Sequence, residues 1–217
     1  MMQRMRGNFA ANRICAAGLA FALTAACAGG VFAGTGMMET GWDAGHKSKS
    51  RLIVGALPSA DGGKTLVAGL EIVMEPGWKT YWRNPGDAGG IPPYFNWSGS
   101  RNLKTAHVQF PAPRRFTDET GTTIGYKKRV ILPIMIEPQN PSRPVGIAVT
   151  VEFGVCLDIC IPARAQLAIE VDPDRIATLP PGLARALQAV PVPSEAQDQD
   201  GLPRLASAKL STSGPPA

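Results

Sequence analysis

Hydrolase and nucleotide chemistry find no foothold in this chain. Its 217 residues contain no Gly-x-Ser-x-Gly elbow, no phosphate-cradling glycine loop and no paired-histidine zinc motif. Histidine is scarce: His46 and His107 stand alone, and neither lies at ligand spacing from a cysteine. The sequence therefore points to no cofactor, no resident metal and no small-molecule substrate. Acidic residues are missing before Glu39, and charge of either sign is missing from Ile14 to Ala33. Beyond Ala33 no run is long or apolar enough to span a bilayer. No internal repeat is present.

The uncharged stretch follows Arg4, Arg6 and Arg13 and ends on Val31-Phe32-Ala33 before Gly34. A basic start, an apolar middle and a small-residue end predict a signal peptide over residues 1–33, cleaved after Ala33. Two rival readings use the same residues. An uncharged run of this length also suits an uncleaved membrane anchor, and Leu23-Thr24-Ala25-Ala26-Cys27 is a loose version of a lipoprotein box. Taking the leader's three positive charges from the formal +5 leaves +2 for residues 34–217. A nearly neutral mature protein has no charge bias toward nucleic acid or anionic membranes, and Lys127-Lys128-Arg129 reads as a solvated turn. Cleavage also removes Cys15 and Cys27. Cys156 and Cys160 remain, in an oxidising compartment where pairing is the default.

Residues 34–50 have no sustained period and read as a flexible lead-in. From Arg51 the pattern is β. Leu66, Ala68, Leu70, Ile72 and Met74 alternate, as do Val130, Leu132, Ile134 and Ile136, with Pro133 on the opposite face suggesting an edge strand. Val145, Ile147, Val149, Val151 and Phe153 alternate next, then Ala165, Leu167, Ile169 and Val171. Turn clusters such as Asn84-Pro85-Gly86-Asp87 separate the runs. Short strands, frequent turns and no long helical period predict an all-β antiparallel sandwich over residues 51–175. Residues 176–217 form a Pro/Ala-rich tail, with a short helix expected at Leu183–Ala189 and disorder from Gln197.

The last two core strands can be paired by matching apolar residues. Val151 opposite Ala165 brings Val149 to Leu167, Ile147 to Ile169 and Val145 to Val171. Cys156 then lies opposite Cys160 across a loop of Leu157, Asp158 and Ile159. Directly opposed residues have Cα atoms about 4.5 to 5.5 Å apart, within the range a disulfide requires. With the register unbroken, both sulfurs project from the face opposite the apolar set; a bulge at Gly154 would reverse this. A loop this short usually wants a left-handed glycine, which the β-branched Ile159 replaces badly. Either a strained turn or a shifted register is thus expected. Three uses of the pair stay open: thiol-disulfide exchange, a plain stabilising staple, or Cu(I) binding by soft thiolates. A flexible Met37, Met38 and His46 tail would be the other copper ligand set. A non-catalytic binding sandwich with a structural disulfide is the main competing class.

At Val155-Cys156-Leu157-Asp158-Ile159-Cys160-Ile161-Pro162 the chain resembles the amino-terminal periplasmic domain of the DsbD family of thiol:disulfide interchange proteins. The resemblance extends back through Gly77-Trp78-Lys79-Thr80-Tyr81-Trp82-Arg83, Val108-Gln109-Phe110-Pro111, Gly125-Tyr126 and Val130-Ile131-Leu132-Pro133, and covers roughly Leu66 to Val171. It implies an immunoglobulin-like sandwich in the periplasm that takes electrons from a membrane thiol reductase and passes them to thioredoxin-like proteins. In that reading the domain is a thiol-disulfide oxidoreductase module with Cys156 and Cys160 as its redox pair. Tyr81 and Trp82 would be the aromatics beside the pair, and Phe116 to Tyr126, including Asp118 and Glu119, the loop that caps it. Asp158, between the cysteines, tends to raise the thiol pKa by like-charge proximity. Two departures are visible. The best-known members carry five residues between the cysteines where this chain has three, and family members usually continue into a membrane domain and a thioredoxin domain. The expectation is then that an electron source, if one exists, is a separate protein.

Overall fold

The computed structural model describes residues 38–60, 62–119, 121–176 and 178–192. The expected signal peptide, its cleavage site at Ala33 and residues 193–217 lie outside the described residues. Twelve strands run in order: β1 (Met38–Glu39), β2 (Asp43–Gly45), β3 (Ser48–Pro58), β4 (Lys64–Met74), β5 (Lys79–Tyr81), β6 (Tyr94–Asn96), β7 (Leu103–Val108), β8 (Arg114–Asp118), β9 (Gly121–Lys127), β10 (Arg129–Pro138), β11 (Val145–Cys156) and β12 (Cys160–Val171). A 3₁₀ turn at Pro173–Arg175 and one helix, α1 (Pro181–Gln188), follow.

The strands form two antiparallel sheets. One runs β1-β3-β4-β10-β7 with β2 also on β3; the other runs β12-β11-β5-β9-β8 with β6 also on β11. The period-2 alternation sorts each strand's side chains between two faces. Leu52, Leu70, Ile72, Leu132 and Ile134 of the first sheet meet Ile147, Val151, Phe153 and Val155 of the second in one continuous core. This is the immunoglobulin-like sandwich expected from the sequence.

Three findings go beyond that expectation. Residues 38–50, expected as part of a flexible lead-in, instead form β1, β2 and the start of β3, pairing Met38 with Val54 and Asp43 with Ser50. Their polar side chains find distant partners: the Asp43 carboxylate accepts the Gln166 amide of the other sheet at 2.7 Å, and Trp42 lies between Lys49 and Arg51, 4.6 and 4.4 Å from its ring centre. Such long-range pairing leaves no periodic trace in the sequence. Pro133 does not mark an edge, because β10 lies between β4 and β7. Its carbonyl accepts the Gln109 amide at 2.7 Å, on the β7 side. Since N–H and C=O of one strand residue point the same way, the donor that proline lacks is directed away from β4, and that ladder loses nothing.

The helix expected in the tail starts at Pro181, two residues earlier than the sequence indicated, with prolines at its first turn where a missing amide costs nothing. It packs on the outer face of the first sheet. Leu183 is fully buried against Ile53, Val67 and Ile131. Gly69 makes the room, since a Cβ there would fall 2.7 Å from Leu183 Cδ1. Beside this contact the outer face buries a carboxylate: Glu71 of β4 takes Arg51 Nε of β3 at 2.8 Å and Arg129 Nε of β10 at 2.6 Å, while Arg51 also reaches Glu39 of β1 at 2.7 Å.

Candidate redox site

The β11–β12 register runs unbroken from Val145↔Val171 through Val151↔Ala165 and Gly154↔Pro162 to Cys156↔Cys160. Every expected pairing is present and no bulge occurs at Gly154. Cys156 and Cys160 are disulfide-bonded with Cα atoms 4.2 Å apart. The turn between them needs no left-handed residue: among the described non-glycine residues positive φ falls at Lys47, Asn102 and Lys128. Leu157 closes it instead by donating its amide to the Ile159 carbonyl at 3.1 Å. Neither the strained turn nor the shifted register expected from the sequence is present.

Strict alternation sends both sulfurs out of the core, away from Val155 and Phe153. Their environments differ all the same. Cys156 is 1% exposed, whereas Cys160 is exposed. The cover over Cys156 comes from β5 and the chain after it. Tyr81 directs its hydroxyl at both sulfurs, 2.9 Å from Cys156 Sγ and 3.1 Å from Cys160 Sγ. In the disulfide the sulfurs carry no proton, so the phenol is the donor to both. Burial, then the charge of Asp118, pushes the Tyr81 phenol above its ordinary value, which keeps that proton in place.

Two glycines hold this ring. A Cβ on Gly90, whose φ is +148°, would lie 2.3 Å from the Tyr81 ring, and one on Gly154 would lie 3.2 Å from it. Only glycine has ready access to that region of φ/ψ space. Gly154 is also pinned from both sides, donating its amide to Ile91 at 2.9 Å and accepting from the Thr80 hydroxyl at 2.8 Å. Ile91 is 40% exposed, Leu157 46% and Ile159 66%. Three apolar side chains on the segments flanking the disulfide are thus open to solvent.

The other residues named from sequence take different places. Trp82, next to Tyr81 but on the opposite face of the strand, packs against the core; its indole N–H is buried without a hydrogen-bond partner among the described residues, and Arg83 stacks on its ring at 4.7 Å. Tyr126 also faces inward, and its hydroxyl donates to the Pro111 carbonyl at 2.8 Å. Burial raises its phenol well above the ordinary value. Phe116 and Asp118 belong to β8, which with β9 forms a hairpin where a loop was expected. Its tip touches both β5 and the chain after it: Asp118 meets Lys79 Nζ of β5 at 3.5 Å, and Ala88 donates to the Thr122 carbonyl at 3.2 Å. Phe116 carries Lys127 Nζ 4.6 Å above its ring, while Glu119 and Asp158 are exposed. Sequence reasoning named neither Gly90, Ile91 and Gly154 as the groups that seat Tyr81, nor Lys79 as a site residue. Lys79 sits in the aromatic motif already noted, opposite Cys156 in the β5–β11 ladder.

Comparison with known proteins agrees with this geometry. The family described as the N-terminal domain of thiol:disulfide interchange protein DsbD matches residues 56–171. Among solved structures, the N-terminal periplasmic domain of ScsB from Proteus mirabilis is 26% identical at a TM-score of 0.53, over 72% of this chain and 61% of that one. The N-terminal domain of Neisseria meningitidis DsbD in its reduced form is 12% identical at a TM-score of 0.27, over 55% of this chain and 83% of that one. No curated protein sequence gives a significant match.

Proposed function

This chain belongs to the family of DsbD N-terminal, thiol:disulfide interchange domains, and from that premise we propose that it relays electron pairs through Cys156 and Cys160 from a membrane thiol reductase to thioredoxin-like proteins of the periplasm. The observation that carries the reading is the unequal pair: one exposed cysteine, one buried cysteine, and a hydroxyl donating to both sulfurs. A reductase thiolate attacks Cys160 Sγ, the sulfur of the exposed cysteine. The Cys156–Cys160 bond breaks, Cys156 leaves as a thiolate beside the Tyr81 hydroxyl, and a mixed disulfide joins Cys160 to the reductase. The reductase's second thiolate then attacks its own sulfur in that bond and releases reduced Cys160. Toward an acceptor the sequence runs in reverse: the Cys160 thiolate opens the acceptor disulfide, and Cys156 resolves the mixed disulfide and restores the pair. Ile91, Leu157 and Ile159 supply apolar contact for either partner. Export through the leader over residues 1–33 places the domain in the periplasm.

The test is the reduction potential of the pair, measured by equilibration of the purified protein in dithiothreitol or glutathione buffers. A relay predicts about −180 to −270 mV, the range of exchange proteins; a value well below about −300 mV marks a structural bond and ends the proposal. Tyr81→Phe tests the donor. A hydrogen bond to a charged group contributes roughly 1.5 to 3 kcal/mol, and the phenol favours the thiolate over the disulfide. The variant is expected to exchange about tenfold more slowly and to have a potential about 30 mV more negative. Unchanged values would leave Tyr81 a packing residue.

A further inference from the structure

We propose that Gly90 is a positioning residue of the redox site, acting through Tyr81 rather than on the sulfurs: its missing side chain lets the Tyr81 hydroxyl stand between Cys156 and Cys160. The inference rests on the reading that the pair exchanges. The Tyr81 ring passes between two glycines before its hydroxyl reaches Cys156 Sγ at 2.9 Å and Cys160 Sγ at 3.1 Å. A Cβ on Gly90 would stand 2.3 Å from Tyr81 Cε1 and 2.5 Å from both Cδ1 and Cζ, the last being the atom that carries the hydroxyl. Carbon atoms in ordinary contact are about 3.5 to 4.0 Å apart, so ring and side chain cannot share that space. The other edge has no slack either, because a Cβ on Gly154 would stand 3.2 Å from Tyr81 Cε2 and 3.0 Å from Ile91 Cβ.

The backbone at Gly90 is fixed from both directions along the chain. Before it, Pro85 accepts the Ile124 amide at 2.7 Å and Ala88 donates to the Thr122 carbonyl at 3.2 Å; after it, Ile91 accepts the Gly154 amide at 2.9 Å. The stretch is thus tied to β9 on one side and to β11 on the other. The Tyr81 side chain, by contrast, turns about single bonds, and its polar end is held by sulfur, a weak acceptor. A methyl group at position 90 therefore displaces the ring rather than the chain. The hydroxyl then leaves the place where Cys156 departs as a thiolate, and the exchange loses its donor although the tyrosine is still present. Gly89 separates this effect from backbone strain. Its φ of +73° is left-handed like the +148° of Gly90, yet a Cβ there would meet no atom within 4 Å among the described residues.

The test compares Gly90→Ala, Gly89→Ala, Tyr81→Phe and the double variant Gly90→Ala with Tyr81→Phe in the full chain. The rate of reduction by dithiothreitol and the equilibrium with it are measured for each. Gly90→Ala is expected to be reduced about tenfold more slowly and to lie about tenfold further toward the disulfide, a potential about 30 mV more negative. That is the change expected of Tyr81→Phe. Gly89→Ala keeps the parent values. In the double variant the glycine substitution adds nothing to Tyr81→Phe, because no hydroxyl remains to be displaced. A Gly90→Ala variant like the parent overturns the proposal, and so does a Gly89→Ala variant with the same shift, which would trace the effect to strain. A double variant shifted by the sum of the singles overturns it as well, as does a Tyr81→Phe variant that changes nothing. If Gly90→Ala does not fold, Gly154→Ala takes its place, with a smaller shift of the same sign that vanishes in the Tyr81→Phe background; no shift, or one that survives there, overturns the proposal. The parent's own potential decides the relay: a structural-bond value removes the relay, whereas a value in the exchange range with unmoved variants removes this inference alone.

Discussion

Cys156→Ser is expected to accumulate a covalent complex with thioredoxin-like partners, while Cys160→Ser is expected to capture little or none. Both substitutions remove one half of the disulfide and abolish turnover, so activity alone cannot separate the roles of the two sulfurs. Capture can. With serine at 156 the exposed Cys160 still attacks a partner disulfide, but nothing remains to resolve the mixed disulfide, and the complex persists until reductant is added. With serine at 160 the remaining thiol belongs to a residue 1% exposed beneath the Tyr81 hydroxyl. Thiol-disulfide exchange requires access in line with the bond being broken, so a buried sulfur reacts slowly whatever its ionisation. The measurement is non-reducing electrophoresis of each variant after incubation with an oxidised thioredoxin-like protein, with mass spectrometry of the joined peptides. Equal capture by both variants, or stronger capture by Cys160→Ser, would show that the attacking sulfur is assigned to the wrong residue.

How much of this was legible beforehand depends on the distance over which each feature is determined. The hairpin was readable to the residue because its information is local. Val145 to Phe153 and Ala165 to Val171 are matched apolar series with period 2, and a shift of one residue would have turned each to the wrong face. That pairing placed Cys156 against Cys160, as found. The inequality of the two cysteines was not readable. Both occupy the outward parity, and alternation treats them alike; the group that lies on Cys156 is the Tyr81 hydroxyl, and the ring behind it is seated by Gly90, more than sixty residues from the cysteine in a segment without a period of its own. Tyr81 was named only through its family motif. The adjacent Trp82, named with it, lies on the other face, since neighbouring residues of a strand point in opposite directions. The loop was misjudged for a different reason. A hairpin rule based on left-handed glycine does not cover a turn closed by the Leu157 amide on the Ile159 carbonyl.

On the opposite sheet, Glu71→Ala is expected to destabilise the fold by about 3 kcal/mol, the low end of the range found when one partner of a buried ion pair is deleted. Glu71 is 2% exposed and holds two guanidinium groups, Arg51 at 2.8 Å and Arg129 at 2.6 Å, so its loss leaves Arg51 with Glu39 alone and Arg129, 51% exposed, to water. For a domain of this size each kcal/mol corresponds to about 2 to 4 °C, and a fall in Tm of roughly 10 °C should follow in thermal unfolding monitored by circular dichroism. The cost arises mainly from the largely buried Arg51, left with one carboxylate in place of two, rather than from any large intrinsic value of the ion pairs, since desolvation cancels much of their attraction. Replacing all three members together, Glu71→Leu with Arg51→Met and Arg129→Met, is therefore expected to recover most of the lost stability. Glu39, which would lose Arg51, keeps 31% of its side chain in solvent and tolerates the change. Because Glu71 lies on β4 of the first sheet and the cysteines on β11 and β12 of the second, the reduction potential of folded Glu71→Ala should match the parent. A loss below about 1 kcal/mol would mean that water reaches the arginines once the carboxylate is gone; a shifted potential would mean that the outer face of one sheet is coupled to the redox pair on the other.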